Sequence, residues 1–173
     1  PYLRPVGDAE LDNRIEGAPG IKVGLVWAGS PTRRKNQRRS MDPALLQPIL
    51  DIPGASFFGL QVGAAAAERN QLAEPGQIID VTDGILDFAD TAAIVAGLDL
   101  VISVDTAVLH LAGGMGKPAF GLLSRPTGFL WGTDGDASPW YPTIRLFRQP
   151  EPGDWDGAVR AAAAALAGLV KHQ

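Results

Sequence analysis

The chain alternates between short apolar runs and alanine-rich or amphipathic segments along most of its length. Six of the runs are mostly bounded by Gly, Pro or Asp, which is typical of buried strands. The predicted strands are residues 22–27, 56–61, 77–80, 99–104, 118–123 and 143–147. The segments between them predict helices at 44–50, 64–73, 92–98 and 155–170. Asp154 can cap the last of these, and either Asp90 and Thr91 or the earlier Asp87 can cap the third.

Strict alternation of strands and helices predicts a parallel sheet, because parallel strands need crossover connections. The strands are apolar on both sides, so helices should cover both faces. Right-handed crossovers then give a Rossmann-like, doubly wound α/β sheet of about six strands, which binds ligands at the carboxyl ends of its strands. Residues 1–20 are polar and predict a linker or entry segment, and residues 21–173 predict a single domain.

The composition narrows the function classes. The 173 residues are 46% hydrophobic and 20% charged, as in ordinary globular domains. Neither an apolar run of about 18 residues nor a signal-peptide pattern occurs, so we expect a cytoplasmic location and no transmembrane segment. A net charge of −4 argues against a nucleic-acid partner. With no cysteine and two histidines, we expect no metal site and no cofactor.

The strongest functional signal is the junction at which the fourth predicted strand ends at Asp105 and a helix begins with Thr106 and Ala107. Backbone N–H groups and the positive end of a helix dipole at such a junction bind anions such as phosphate. His110 lies one turn further along the same helix. Asp105 is equally explained as a simple helix cap, and His110 as a neutral core residue, so both interpretations stay open.

The loop after the first strand is the second candidate. Gly29 permits a sharp turn beside a ligand and Ser30 offers a hydroxyl group. Positive charge is concentrated here, since residues 33–39 hold five of the fifteen basic residues. Arg38 and Arg39 are suited to grip a pyrophosphate, although a solvated basic loop explains the run as well. Neither a GxGxxG nor a P-loop spacing is present.

The end of the second strand supplies a third set of candidates. Gln61 and Gly63 lie where the strand end meets the following segment, and there the backbone can face a ligand. Glu68 lies in that following segment, and a carboxylate near a second strand–helix junction can accept hydrogen bonds from ribose hydroxyl groups. An exposed helical glutamate is the simpler explanation for Glu68.

The long segment 127–142 is rich in Gly, Asp, Pro and Trp, and loops of this length are commonly functional or face a partner. Aromatic residues favour interfaces. The alternative prediction is therefore a non-catalytic Rossmann-like interaction module of a repeat protein, with this surface formed by Phe129, Trp131, Trp140 and Tyr141.

Several motifs in collinear order resemble the C-terminal half of glycosyltransferase family 9, the heptosyltransferase-like GT-B enzymes, in the form found in bacterial tetratricopeptide-repeat proteins. They are KVGLVWAGSP at 22–31, RRS at 38–40, LQVG at 60–63, DFADTAAIVAGLDLVISVDTAVLHLAG at 87–113, GKP at 116–118 and SPWYPTIRLFRQPEPGDW at 138–155. The resemblance implies one half of a GT-B fold that binds a nucleotide-diphosphate sugar for transfer without a metal. The partner domain, which holds the acceptor, would be N-terminal and outside this chain.

The resemblance also implies roles for individual residues. Ser30 and Arg39, or Arg38, would contact the diphosphate, Glu68 the ribose and Asp105 the sugar, with Thr106, Ala107 and His110 at the phosphates. Family members commonly have Gly where this chain has Ala107, and the added methyl group slightly narrows the space through which a phosphate reaches the backbone. The general base of the family lies in the N-terminal domain, so no catalytic residue is assigned here and the chain alone should be inactive.

Overall fold

The computed structural model describes residues 1–4, 13–30, 36–72, 74 and 76–172. Its centre is a sheet of six parallel strands: β1 (Ile21–Val26), β2 (Ala55–Gly59), β3 (Ile78–Asp80), β4 (Leu100–Val104), β5 (Ala119–Leu123) and β6 (Ile144–Arg148). The strand order is β3-β2-β1-β4-β5-β6. All six predicted strands are confirmed to within two residues at either end, and the Rossmann-like class is confirmed with them.

The strand order reverses beside β1. The chain runs outward from β1 through β2 to β3, then returns to place β4 on the other side of β1. In the β1–β4 pair, Leu25 lies opposite Ile102 and Val26 opposite Ser103, so the two strands end at the same edge. Such a reversal opens a crevice outside the carboxyl ends of the two central strands. The segments after β1 and β4 therefore face each other across this crevice.

Helices connect the strands on both faces. They are α1 (Asn13–Glu16), α2 (Asn36–Arg39), α3 (Gln47–Leu50), α4 (Phe88–Gly97), α5 (Ala107–Gly114) and α6 (Trp155–Val170), with 3₁₀ helices at Pro43–Leu46, Ala64–Gln71 and Phe129–Trp131. One core layer packs α3 and α6 on the sheet, and the other packs α1, α4 and α5 on the opposite face. None of the helices in the described part of the chain is long and apolar enough to cross a membrane.

Two helix predictions were wrong in type. The segment expected to be one helix over 44–50 begins as a 3₁₀ helix and becomes α-helical only at Gln47. Pro48 is the physical reason, because it lacks the N–H group that an α-helix would direct back to Ala44. The alanine-rich segment predicted as a helix over 64–73 is a 3₁₀ helix, Ala64–Gln71, and it has few apolar side chains to anchor a longer α-helix against the sheet.

Aspartates begin the two longest helices. Asp87, rather than Asp90 or Thr91, caps α4 by accepting from the backbone N–H groups of Ala89 and Asp90. Asp90 completes the capping box by accepting from the N–H of Asp87. Asp154 caps α6 through the N–H of Gly157, as predicted.

The first residues of the chain lie on α5. The backbone N–H groups of Tyr2 and Leu3 both donate to the carbonyl oxygen of Gly114. Ile15 of α1 is fully buried in the second core layer. The division into an entry segment over 1–20 and a domain over 21–173 stays a prediction, but both of these points show the entry segment in contact with the domain.

Candidate functional site

The two central strand ends are joined by an ion pair across the crevice. Arg39, at the end of α2, approaches the backbone oxygen of Asp105 at 3.3 Å and its carboxylate Oδ2 at 3.4 Å. Both side chains are about one-fifth exposed, so the pair is only partly screened by solvent. The buried Nε of Arg39 has no hydrogen-bond partner among the residues that the structure describes. A cation with an unused donor therefore lies at the mouth of the crevice.

The N-terminus of α5 lies at the same edge. Within the described residues no side chain caps its first turn: Thr106 is the N-cap residue, but its hydroxyl group lies 2.9 Å from Ser103 Oγ instead. Ala107, the first helical residue, is exposed and carries only a methyl group. Backbone N–H groups in an uncapped first turn attract anions. The helix end and Arg39 together make this edge suited to a ligand that carries phosphate or carboxylate groups.

The carboxylate of Asp105 has further partners from two other elements. The indole N–H of Trp131 donates to Asp105 Oδ1 at 2.9 Å. On the same side, His110 Nε2 lies 3.9 Å from Oδ1. Arg39, Trp131 and His110 come from three separate stretches of the chain. This convergence leaves the Asp105 side chain one-fifth exposed and fixes its orientation at the crevice.

Two aromatic rings hold the imidazole of His110. It stacks on Trp131, with ring centroids 4.8 Å apart and planes inclined by 23°, and its Nδ1 lies 3.1 Å from the hydroxyl oxygen of Tyr141. Burial lowers the pKa of His110, and the nearby Asp105 only partly opposes this shift. Burial and the Tyr2 hydroxyl raise the pKa of Tyr141 to about 12. The Tyr2 hydroxyl lies 3.4 Å from the Tyr141 hydroxyl, so the two tyrosines and His110 form one chain of polar contacts beside Asp105.

An open pocket of about 410 Å³ is lined by His110 and Ala107. Leu3, Phe88 and Leu111 contribute to its mainly apolar lining. The pocket therefore adjoins the first turn of α5. Within the described residues, no group of three His, Cys, Asp or Glu side chains is placed to hold a metal ion.

On the β1 side, polar side chains hold the turn that follows the strand. Gln61 is 6% exposed, and its Oε1 accepts from the backbone N–H groups of Trp27 at 3.2 Å and Ala28 at 2.9 Å. Glu68 Oε2 accepts from the indole N–H of Trp27 at 3.1 Å. Ser40 Oγ accepts from the N–H of Gly29 at 3.1 Å. These contacts fix the path of the backbone along one wall of the crevice.

The predicted site residues fall into three groups. Arg39, Asp105, Thr106, Ala107 and His110 lie together at the ends of α2 and β4 and on α5. Gln61 and Glu68 form hydrogen bonds with Trp27, the residue that follows β1. The members of the third group lie in the turns after β1 and β2 or on α2, and are partly or fully exposed: Gly29, Ser30, Arg38 and Gly63. The rest of the basic run, Arg33, Arg34 and Lys35, lies outside the described residues.

Sequence reasoning missed two members of the cluster. Trp131 and Tyr141 were assigned to a surface for a partner, yet Trp131 is 1% exposed and its indole bonds to Asp105. That part of the interface prediction is wrong, because the indole fills the second core layer beside α5. The available signal was a tryptophan inside a long polar loop that follows a strand at the ligand-binding edge.

Comparisons with known proteins place the chain in context. The profile of glycosyltransferase family 9 (heptosyltransferase) matches residues 59–152. Protein FlbA of Caulobacter vibrioides is 35% identical over 152 residues, which are 86% of this chain and 25% of FlbA. The chain therefore spans about a quarter of this curated relative.

Two solved structures of the E. coli heptosyltransferase WaaC share the fold. The complex with ADP-2-deoxy-2-fluoro heptose matches with a TM-score of 0.58 at 15% identity, and the complex with ADP with a TM-score of 0.60 at 16% identity. Each match covers 94% of this chain, but only 45% and 46% of the respective WaaC chains. At this identity the likeness shows the fold alone.

Proposed function

The chain belongs to glycosyltransferase family 9, the heptosyltransferase family, and from this membership we propose that it is the donor-binding half of a GT-B glycosyltransferase. In this proposal the crevice binds a nucleotide-diphosphate sugar, and an N-terminal domain outside the chain binds the acceptor. The match to less than half of each WaaC chain supports this division. The tetratricopeptide-repeat association and the bacterial source remain predictions of the resemblance, and the cytoplasmic location remains a prediction from the composition.

The observation that carries the proposal is that the guanidinium of Arg39 lies at the same edge of the sheet as the uncapped N-terminus of α5. The Arg39 side chain is about one-fifth exposed, and an oxygen of a diphosphate would accept from the exposed part of its guanidinium. The same anion would accept from the N–H groups of the first turn of α5, whose N-cap side chain leaves them open. Both features face the crevice at the strand reversal, which is where doubly wound sheets bind nucleotides.

The remaining residues take roles around this anion site. Ser30 and Arg39, or Arg38, bind the diphosphate, with Thr106, Ala107 and His110 at the phosphates. Asp105 binds hydroxyl groups of the sugar, and Glu68 those of the ribose. Gln61 and Gly63 shape the backbone beside the ribose.

In the reaction, an acceptor oxygen forms a bond to the anomeric carbon while the bond from that carbon to the diphosphate breaks. The diphosphate leaves with the electron pair, and the acceptor proton goes to a base of the N-terminal domain. Arg39 and the α5 amides stabilise the charge that develops on the departing diphosphate. We expect the chain by itself to bind the donor without turning it over.

Calorimetry tests the proposal with ADP-, GDP-, UDP- and dTDP-sugars and the matching free diphosphates. We expect one nucleotide to bind, and Arg39→Ala to weaken that binding about tenfold to a hundredfold, since a charge-assisted hydrogen bond contributes about 1.5–3 kcal/mol. Arg160→Ala is the matched control, because it removes the same charge from an exposed position on α6. A folded chain that binds none of the panel at millimolar concentration contradicts the proposal.

Arg38→Ala decides between the two arginines. Arg38 is exposed, whereas Arg39 contacts Asp105, so the Arg39 variant should lose more affinity. The opposite ranking would assign the diphosphate to Arg38.

A second candidate function is a non-catalytic interaction module, favoured by the exposed aromatic side chains of Phe129 and Trp140. They are 90% and 62% exposed on the same loop. Under this alternative, Phe129→Ser with Trp140→Ser abolishes association with the partner, while no nucleotide sugar binds to the unaltered chain. Nucleotide binding that survives the double substitution favours the donor-binding function.

A further inference from the structure

The loop between β5 and β6 reaches back to the Asp105 carboxylate. Trp131 belongs to the short 3₁₀ helix of this loop, yet its side chain is buried as deeply as the core of the sheet. The indole ring packs flat on His110, and its N–H group points at Asp105 Oδ1, 2.9 Å away. A loop residue that follows β5 thus bonds to a site residue that follows β4.

Arg148, on β6, holds the backbone around Trp131. Its guanidinium donates to the carbonyl oxygen of Trp131 at 2.7 Å and to that of Gly132 at 3.1 Å. It also donates to the carbonyl oxygen of Gly135 at 2.9 Å and the hydroxyl of Thr127 at 3.0 Å. These acceptors lie on both sides of Trp131 in the sequence. One planar guanidinium group on a strand therefore fixes the position of the loop that carries the indole.

The two oxygens of Asp105 have different donors. Trp131 bonds to Oδ1, and Arg39 approaches Oδ2 at 3.4 Å from the other side of the crevice. The Arg39 contact is long and charged, and a bound phosphate would compete with Asp105 for the same guanidinium. The indole N–H is neutral and shorter, and no phosphate competes for it inside the core. It is thus the contact that keeps the carboxylate oriented when the anion site is filled.

We propose that Trp131, held by Arg148, is a positioning residue that orients the Asp105 carboxylate toward the sugar of the donor. This inference rests on the donor-binding function proposed above. Removing the indole N–H should weaken recognition of the sugar and leave recognition of the diphosphate intact, since the latter depends on Arg39 and α5. The expected result is therefore a loss of affinity for the nucleotide sugar without a loss of affinity for the free nucleoside diphosphate. Unfolding of the variant would reduce both affinities.

The first experiment measures this difference. Trp131→Phe keeps an aromatic ring against His110 and deletes the N–H, and we expect its affinity for the nucleotide sugar to fall about tenfold. Its affinity for the free nucleoside diphosphate should match that of the unaltered chain. Trp140→Phe is the control, because it deletes an indole N–H from the same loop that bonds only to the carbonyl of Leu130. Equal losses for both ligands, or no loss for either, overturn the proposal.

Arg148→Lys tests whether Arg148 positions Trp131. It also tests the proposal if the Trp131→Phe variant does not fold. Lysine keeps the charge but lacks the planar fork that reaches several carbonyl groups at once. We expect the same selective loss for the nucleotide sugar, smaller than in Trp131→Phe. An unchanged ratio of the two affinities shows that Arg148 does not act through Trp131.

A readout without nucleotide separates this inference from the proposed function. In an ¹H–¹⁵N spectrum the indole of Trp131 can be identified by its loss in Trp131→Phe. Asp105→Ala should shift that signal and speed its exchange with water, while the indole signal of Trp140 stays in place. If neither the position nor the exchange rate of the Trp131 indole signal changes in Asp105→Ala, the inference is overturned. If the signal responds but no nucleotide sugar binds, the contact stands and the proposed function fails.

Discussion

The two walls of the crevice are built in different ways. On the β1–β2 wall, polar side chains support their own turn, since Gln61, Glu68 and Ser40 all bond to the short segment Trp27–Gly29. On the β4–β6 wall, the Asp105 carboxylate is contacted by Arg39 and Trp131 from distant parts of the chain and by His110 from the helix that follows it. The first wall uses its polar groups to fix backbone, whereas the second uses them to orient a charged group at the surface.

This difference separates stability from recognition. A buried amide that satisfies backbone N–H groups cannot be removed without leaving those donors unpaired. A carboxylate that is one-fifth exposed can lose a neighbour at a smaller structural cost, but its orientation toward a ligand then changes. Substitution of Gln61 should therefore act mainly on folding, and substitution of the side chains that donate to Asp105 mainly on binding.

The largest effect is expected at Gln61. Gln61→Leu keeps a similar side-chain size but leaves the buried N–H groups of Trp27 and Ala28 without their acceptor. We expect the free energy of unfolding to fall by about 2–5 kcal/mol, measured by urea denaturation. Gln77→Leu is the control, because Gln77 accepts only from the partly buried side chain of Gln47. A Gln61 variant as stable as this control would show that the first wall does not depend on its amide.

Gly113 on α5 should give the next largest effect, because it lets Tyr141 pack against the second wall. A Cβ at Gly113 would lie 2.4 Å from Tyr141 Cγ and 2.8 Å from Ile144 Cδ1. We expect Gly113→Ala to cost about 1–3 kcal/mol despite the better helix propensity of alanine.

Gly168→Ala is the matched control for this substitution. It lies in α6 with open space around its Cβ position, so alanine should stabilise the chain there by about 0.5–1 kcal/mol. Thermal unfolding of both variants measures the contrast. A Gly113 variant that gains as much stability as the Gly168 variant would show that Tyr141 moves freely.

A smaller effect is expected at Glu68, the partly exposed member of the first wall. Glu68→Ala removes the acceptor of the Trp27 indole and should lower the free energy of unfolding by about 0.5–1.5 kcal/mol. Glu68→Gln keeps an acceptor oxygen and should restore most of the loss in the same denaturation experiment. If both variants lose equally, the charge of Glu68 matters more than the hydrogen bond.

The sequence predicted the frame of the sheet and the residues at its strand ends better than the contacts that the loop after β5 makes with them. Strands are local apolar runs, and the residues after β1 and β4 follow them directly in the sequence, so the fold class places them at one edge. Asp105, Thr106 and Arg39 were predicted as site residues on this ground, and the structure brings them together.

The contact between Trp131 and Asp105 could not be predicted in the same way. The two residues are separated by 26 positions, and only the path of the loop under Arg148 decides where the indole points. Its burial is a tertiary effect, because neither the local composition nor the propensity of the loop requires it. The 3₁₀ type of the helix after β2 was missed for a related reason, since alanine-rich composition favours an α-helix that packing here does not support.

The smallest effect is the pH dependence that His110 gives to the second wall. Burial lowers the pKa of His110 below its ordinary value of 6.5, and the opposing attraction of Asp105 keeps the shift limited. At pH values between the lowered pKa of the folded state and the ordinary pKa of 6.5, the unfolded chain binds more protons than the folded one. The stability contributed by a neutral His110 is thus complete above about pH 6.5 and is lost as the pH falls toward the lower, folded pKa.

Urea denaturation between about pH 8 and about pH 5.5 measures this loss above the range in which carboxylates titrate. One group contributes a slope of at most about 1.4 kcal/mol per pH unit. In His110→Phe the ring still packs on Trp131 but takes up no proton, so the slope should flatten. If the unaltered chain becomes more stable on acidification, His110 is protonated in the folded state, and the second wall contains an ion pair with Asp105 instead of a neutral stack.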